Sequence, residues 1–232
     1  MTNPSATESD HALPEKTPGT SIPQEFRPRI PVIGIIGGIG SGKSSVAKWV
    51  AAQAGLSVID ADALGHAALR EPHITQALCE QFGTDIKGDD GQIARSLLAK
   101  KVFGSSSNQL SARHDLERIV HPEIKKKIVE EIAKAAGLGQ SAVILDAAVL
   151  LEAGWEDQCD FIVYVETPDA IRLKRVQENR GWTTEDLQRR EASQWSLTRK
   201  QAAADLTVTN DRELDHAGRQ LLEALKQRGY VN

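Results

Sequence analysis

Eight residues constrain this chain more than any others: Gly37-Gly38-Ile39-Gly40-Ser41-Gly42-Lys43-Ser44 satisfy the spacing G-x-x-x-x-G-K-[ST]. The pattern has meaning only between a strand and a helix. Here an apolar run, 31–36, precedes it and a helical pattern follows. In such a bend consecutive main-chain NH groups point inward around an anion, and the next helix adds its N-terminal dipole. Gly38 and Gly40, lying between the fixed positions, let the backbone fold that closely; bulky side chains would block the approach. On this reading Gly38, Ile39, Gly40, Ser41, Gly42, Lys43, Ser44 and Ser45 cradle phosphates. Lys43 reaches the terminal phosphates as a mobile charge, and the Ser44 hydroxyl is set to ligate Mg²⁺. The dinucleotide pattern G-x-G-x-x-G fails on spacing, because its third glycine falls at Lys43 counted from Gly38 and at Ser45 counted from Gly40.

Further apolar runs at 56–60, 142–146, 161–165 and 206–210 alternate with helical patterns, the signature of a parallel sheet covered on both faces. Thr207 and Thr209 make the fifth run alternate, as an edge strand does. Segment 63–140 carries helical patterns without a comparable strand and reads as an inserted helical region, with His121-Pro122 at a place where a helix begins. Segments 170–179 and 184–195 read as helices joined through Arg180-Gly181-Trp182. Thr167 is the expected N-cap of the first, with Pro168 at N1, and a last helix spans 211–228. Residues 1–29, with five of the nine prolines and few large apolar side chains, are expected to form a disordered tail without signal- or transit-peptide character.

Composition excludes several partners. A net charge of -4 leaves no polybasic footprint for nucleic acid or an anionic membrane. The longest apolar stretch, 142–151, contains Asp146 and falls short of the roughly 20 residues that span a bilayer. Two cysteines, Cys79 and Cys159, fit a reducing cytoplasm better than a disulfide framework. The six histidines lack an i, i+4 pair, so zinc is not expected.

Ligands of open α/β sheets lie beyond the carboxyl ends of the strands, where Asp60, Asp62 and Asp146 end apolar runs. Phosphoryl transfer needs a carboxylate to orient or deprotonate the acceptor and another near the metal. The pair Asp60 and Asp62 supplies the candidate base, and Asp146 the metal-side group. If the strand persists through Ala61 both members of the pair share a face; the competing reading is that one of them caps the next helix, with Asp146 a turn residue. Arg172, Arg175, Arg180, Arg189, Arg190 and Arg199 are candidates for a lid over the phosphates, Arg180 foremost beside flexible Gly181. The plainer alternative is a solvated helix pair.

These residues resemble the dephospho-CoA kinases, of the P-loop kinase class. The resemblance rests on GGIGSGKS at 37–44, VIDAD at 58–62, FG at 82–83, DGxxxR at 90–95, VF at 102–103, LExIxHPxI at 116–124, LDAAVLLEAG at 145–154 and ADxxVxN at 204–210. It implies an α/β fold: a five-stranded parallel sheet forming a P-loop kinase core over 30–232, with a helical acceptor-binding insertion at 63–140 and a helical lid at 175–200. It also implies transfer of the γ-phosphate of ATP, with Mg²⁺, to the 3′-hydroxyl of the ribose of dephospho-CoA, the last step of coenzyme A synthesis. Carried over by position, Asp62 is the base with Asp60 its neighbour, a choice the residues alone leave open. Lys43 and the loop hold ATP, Arg180 acts from the lid, Asn210 lies by the adenine, and Arg95 and His121 bind the acceptor. Ile36, Ser45, Ala94 and Ala147-Ala148 depart from the usual pattern. A different small-molecule kinase is the nearest rival; a nucleotide switch is disfavoured by the lack of an N-K-x-D motif.

Overall fold

Each of the five apolar runs forms a strand: β1 (Val32–Gly37), β2 (Ser57–Asp60), β3 (Val143–Asp146), β4 (Phe161–Glu166) and β5 (Leu206–Thr209). They pair in parallel in the order β2-β3-β1-β4-β5. The computed structural model describes residues 30–104 and 106–232, so the expectation for residues 1–29 lies outside the described residues. β1 and β3 are buried along their whole length, which is why their sequences are continuously apolar. β5 is an edge strand, as its alternating threonines suggest.

Two apolar layers hold the sheet. On one face Ile33, Ile35, Ile144, Val163 and Val208 meet Val46 and Val50 of α1 (Lys43–Ala54) and Leu221 and Leu225 of α9 (Leu214–Gln227). On the other, Val32, Ile36, Ile59 and Leu145 meet the insertion, made of α2 (Ala61–Ala68), α3 (Pro72–Phe82), α4 (Arg95–Val102) and α5 (Ser107–Gly137). The insertion is therefore continuous with the main core: Ile128 and Ile132 are fully buried, and truncating either to alanine would cost about 2–5 kcal/mol.

Several helix boundaries differ from expectation. No helix begins at His121-Pro122, because Pro122 lies inside the 31-residue α5, whose start is capped where the Ser106 hydroxyl accepts from the Gln109 NH. A proline within a helix costs about 3 kcal/mol, and burial of Val120, Ile124, Ile128 and Ile132 along one side outweighs it. The expected helix at 184–195 stops at Glu191, giving α7 (Thr184–Glu191) with a Thr183–Asp186 capping box, and a separate helix beyond the expected range follows, α8 (Leu197–Ala202), capped by Ser196. Thr167 does not cap α6 (Asp169–Arg180); Pro168 occupies that position, and the threonine hydroxyl is used elsewhere. The final helix starts at Leu214 rather than 211.

Candidate active site

The glycine-rich bend joins β1, the central strand, to α1, so it sits at the carboxyl edge of the sheet. Gly40 and Gly42 have φ of 79° and 83°, left-handed values that favour glycine. The Ile39 and Ser41 carbonyls are taken by groups behind the bend, while that of Gly38 accepts the Ser41 NH within it. The Ser41 carbonyl accepts from Asn210 Nδ2 at 2.7 Å, Thr167 Oγ1 at 2.9 Å and Arg175 Nη1 at 3.1 Å. The Ile39 carbonyl accepts from Arg172 Nη1 at 3.1 Å. Meanwhile the NH groups of Gly42, Lys43 and Ser44 find no acceptor among the described residues, which leaves a ring of orphan donors at a helix N-terminus. The bend thus fits a phosphate.

This backing adds a second reason for the glycines. A Cβ on Gly38 would lie 2.8 Å from Arg172 Nη1, one on Gly40 2.7 Å from the Arg172 carbonyl, and one on Gly42 2.5 Å from Asn210 Nδ2. At Gly40 the obstacle is backbone that cannot yield, whereas at Gly38 and Gly42 a Cβ would displace the ends of the Arg172 and Asn210 side chains that brace the bend, beyond any need for an anion to approach in front. Sequence reasoning missed Thr167 and Arg172 in this role. Their position just after β4 was a usable signal only once β4 was known to lie beside β1.

Lys43 Nζ lies 2.9 Å from Asp146 Oδ1 and 3.4 Å from Ser44 Oγ. The contact with Asp146 is an ion pair without hydrogen-bond alignment. Asp146 ends β3 opposite Asp60 of β2 in register. β2 stops at Asp60, so the condition under which both carboxylates would share a strand face is not met and the capping alternative holds for Asp60, whose Oδ1 accepts the Ala63 NH at 2.9 Å at the start of α2. Asp62, on the first turn of α2, instead reaches a cleft of about 1830 Å³ that it shares with the whole bend from Gly37 to Ser45.

That cleft runs from the bend, with Arg175 beside it, to the α4–α5 junction at Val102, Phe103 and Leu110, and is lined also by Arg180, Arg189 and Arg190. Arg180 and Arg190 both lie over the Trp182 ring, at 4.8 and 4.0 Å from its centroid. Two residues expected to bind the acceptor are not brought to the cleft. Arg95 is exposed at the start of α4, outside the lining. His121 sets its ring edge against Trp155 at 5.3 Å, and burial pushes its pKa below the usual imidazole range. Asn210 does line the cleft, but its amide nitrogen is committed to Ser41 and braces the bend rather than standing free for a base.

Of the lid candidates, Arg172 is the one that is buried, at 3% exposure. It donates to the Ile39 carbonyl, to Glu191 and to Asp169. Burial alone would depress that guanidinium, but the bonds to Asp169 and Glu191 outweigh it and hold its pKa above the ordinary value. The stretch after α7 is anchored by Lys200, itself 1% exposed, whose Nζ meets Glu152 Oε1 at 3.0 Å, Gln194 Oε1 at 2.9 Å and the Ala148 carbonyl at 3.0 Å.

Residues 31–216 match the family model described as Dephospho-CoA kinase. The chain belongs to the dephospho-CoA kinase family. A dephospho-CoA kinase of Rhodopirellula baltica is 38% identical over 185 residues, covering 79% of this chain and 84% of that one. One of Geobacillus kaustophilus is 35% identical over 196 residues, covering 84% and 95%. Among solved structures, TT1252 from Thermus thermophilus superposes with a TM-score of 0.72 at 31% identity, covering 85% of this chain and 97% of that one. Dephospho-CoA kinase from Campylobacter jejuni, at TM-score 0.54 and 20% identity over 84% and 96%, shares the fold. Dephospho-CoA kinases phosphorylate dephospho-CoA to give CoA, the last step of CoA synthesis, and are ATP-dependent. Membership removes the rival readings of another kinase or a switch. No helix among the described residues is long and apolar enough to cross a membrane.

Proposed function

We propose that this chain transfers the γ-phosphate of ATP to the 3′-hydroxyl of dephospho-CoA in the cleft between the bend and Asp62. The observation that carries this reading is that one continuous cleft holds both the orphan NH groups of the bend and a free carboxylate. The NH groups of Gly42, Lys43 and Ser44, with the α1 dipole, bind the phosphates. Lys43 exchanges Asp146 for the γ-phosphate and neutralises charge as the bond to the leaving oxygen loosens. Asp62 accepts the proton of the attacking hydroxyl; Asp60 is occupied as a helix cap. Arg180 and Arg190, held over Trp182, face the transferred group and exclude water.

Ser44 Oγ and the Asp146 carboxylate flank the Lys43 ammonium, and a hydroxyl with a carboxylate is the hard-oxygen pair that suits Mg²⁺. When bound there, the ion would neutralise charge on the triphosphate. Two free cysteines fit a reducing cytoplasm, and the chain's slight acidity gives no reason to expect a nucleic-acid partner.

The test is an acceptor panel: purified protein with Mg·ATP and dephospho-CoA, adenosine, AMP, CMP or water. CoA formed from dephospho-CoA is the expected product. Transfer to another acceptor, or ADP release without any acceptor preference, would contradict the proposal.

A further inference from the structure

The lid helix α7 is held to the rest of the protein by very little apolar surface, since Leu187 is its only buried residue. Its capping box and the Arg189–Asp186 pair lie within the helix and its cap, so they shape it without orienting it. Its last residue, Glu191, makes the polar link across to α6: the carboxylate receives a hydrogen bond from Arg172 Nη1. The same nitrogen donates to the Ile39 carbonyl at the rear of the phosphate bend. The Arg172 side chain is 4% exposed and Glu191 26%, so this pair is sheltered, whereas the other carboxylate on Arg172, Asp169, is 89% exposed and belongs to the same helix as the arginine. One guanidinium nitrogen therefore joins the bend to the lid. Arg189 and Arg190, the two residues before Glu191, line the cleft.

We propose that Glu191 is a positioning residue for phosphoryl transfer: through Arg172 it ties α7 to the phosphate bend, so that the Glu191–Arg172 pair, together with the Trp182 ring under Arg190, holds Arg189 and Arg190 toward the triphosphate. This rests on the reading of the cleft as the phosphoryl-transfer site. Because the pair joins the bend directly to α7, a shift of the bend on binding phosphate is carried to the arginines, and loss of the pair uncouples the two.

The experiment compares wild type with Glu191→Ala, Glu191→Gln, Arg172→Gln and the double variant Arg172→Gln/Glu191→Ala. Three readouts are taken: kcat and KM for ATP, the ratio of ATP hydrolysed to CoA formed, and hydrogen exchange of amides 184–191 with ATP bound. A sheltered charge-assisted hydrogen bond of ordinary strength corresponds to about a 10-fold change. Glu191→Ala should therefore lower kcat/KM by about 10-fold, raise the share of ATP lost to water, and speed exchange in α7. The double variant should be no worse than Arg172→Gln alone, since each partner acts through the other. Glu191→Gln, which keeps the size of the side chain and a neutral acceptor, should show a smaller loss; it carries the test if the alanine variant does not fold. Glu191→Ala with an altered melting temperature but an unchanged hydrolysis ratio and α7 exchange would reduce the pair to a stabilising contact and overturn the proposal. So would additive losses in the double variant. The exchange measurement needs no acceptor: if wild type does not make CoA while Glu191→Ala still frees α7 under ATP, the assigned acceptor fails and the tie between bend and lid stands.

Discussion

Replacing Gly40 by alanine tests the claim that the phosphate bend is fixed from behind. At φ of +79°, a Cβ there would sit 2.7 Å from the Arg172 carbonyl oxygen and 3.0 Å from Val176 Cγ1. The carbonyl belongs to α6 and has no side-chain freedom to yield. A left-handed conformation costs an alanine about 1–2 kcal/mol, and forcing a methyl into a filled space costs about 1–3 kcal/mol more. The bound conformation of the bend should thus carry about 2–5 kcal/mol of added strain. Gly55 supplies the control: its φ is +66°, but nothing lies within 4 Å of its Cβ position, so Gly55→Ala bears the backbone cost alone. If the free bend relaxes, strain appears as weaker ATP binding; if it does not, as lower stability of the free protein. The sum is the same either way, because it is the instability of the ATP-bound state relative to the unfolded chain. Urea unfolding under saturating Mg·ATP, combined with an ATP titration, measures it. A Gly40→Ala protein whose ATP-bound form is destabilised no more than that of Gly55→Ala would refute the packing argument.

Three further outcomes are expected. Asp62→Asn should lower kcat by about 10²- to 10⁴-fold with ATP affinity kept, while Asp60→Asn, which retains an equally good helix cap, should stay near wild type; the reverse order in steady-state kinetics would move the base to Asp60. His121 is held neutral by burial, so the unfolded chain binds its proton more readily than the native one, and stability present above about pH 6.5 is lost as the pH falls towards the depressed native pKa. Urea midpoints at pH 7 and pH 5 should therefore fall less for His121→Phe, which keeps an aromatic edge beside Trp155, and an equal fall would sink the idea. The Cys159 thiol is pushed up to about 12 by burial and by nearby carboxylates including Asp160, so iodoacetamide at pH 8 should spare it in the native protein and modify it in urea; ready native alkylation, read by peptide mass, would contradict its burial.

Much of the fold was legible because the signals are local. β1 and β3 read as strands since burial on both faces demands an unbroken apolar run, and the bend declared itself through fixed glycines before Lys43 and Ser44. His121-Pro122 misled because a proline's local cost is visible in sequence while the burial of Val120, Ile124 and Ile128 that overrides it is a property of the packed core. Thr167 misled similarly: next to Pro168 it has the chemistry of a helix cap, and only the neighbouring bend offers its hydroxyl the Ser41 carbonyl instead. Asp60 and Asp62 were an undivided pair until the strand was seen to end at the first and the helix to begin between them.

The chain's own order of residues determined the chemistry available: a phosphate-binding turn, carboxylates at strand ends, arginines after the fourth strand, and the parallel α/β class that brings such groups to one edge. Tertiary structure decided which of them meet. Strand order set β4 beside β1, and with it Arg172, Arg175 and Thr167 against the rear of the bend, while Arg95 and His121 were left outside the cleft. The physical reason is that glycine spacing and apolar runs act through the residues next to them, whereas hydrogen bonds such as that from Arg172 to the Ile39 carbonyl join positions 133 apart and exist only where packing brings the two segments together.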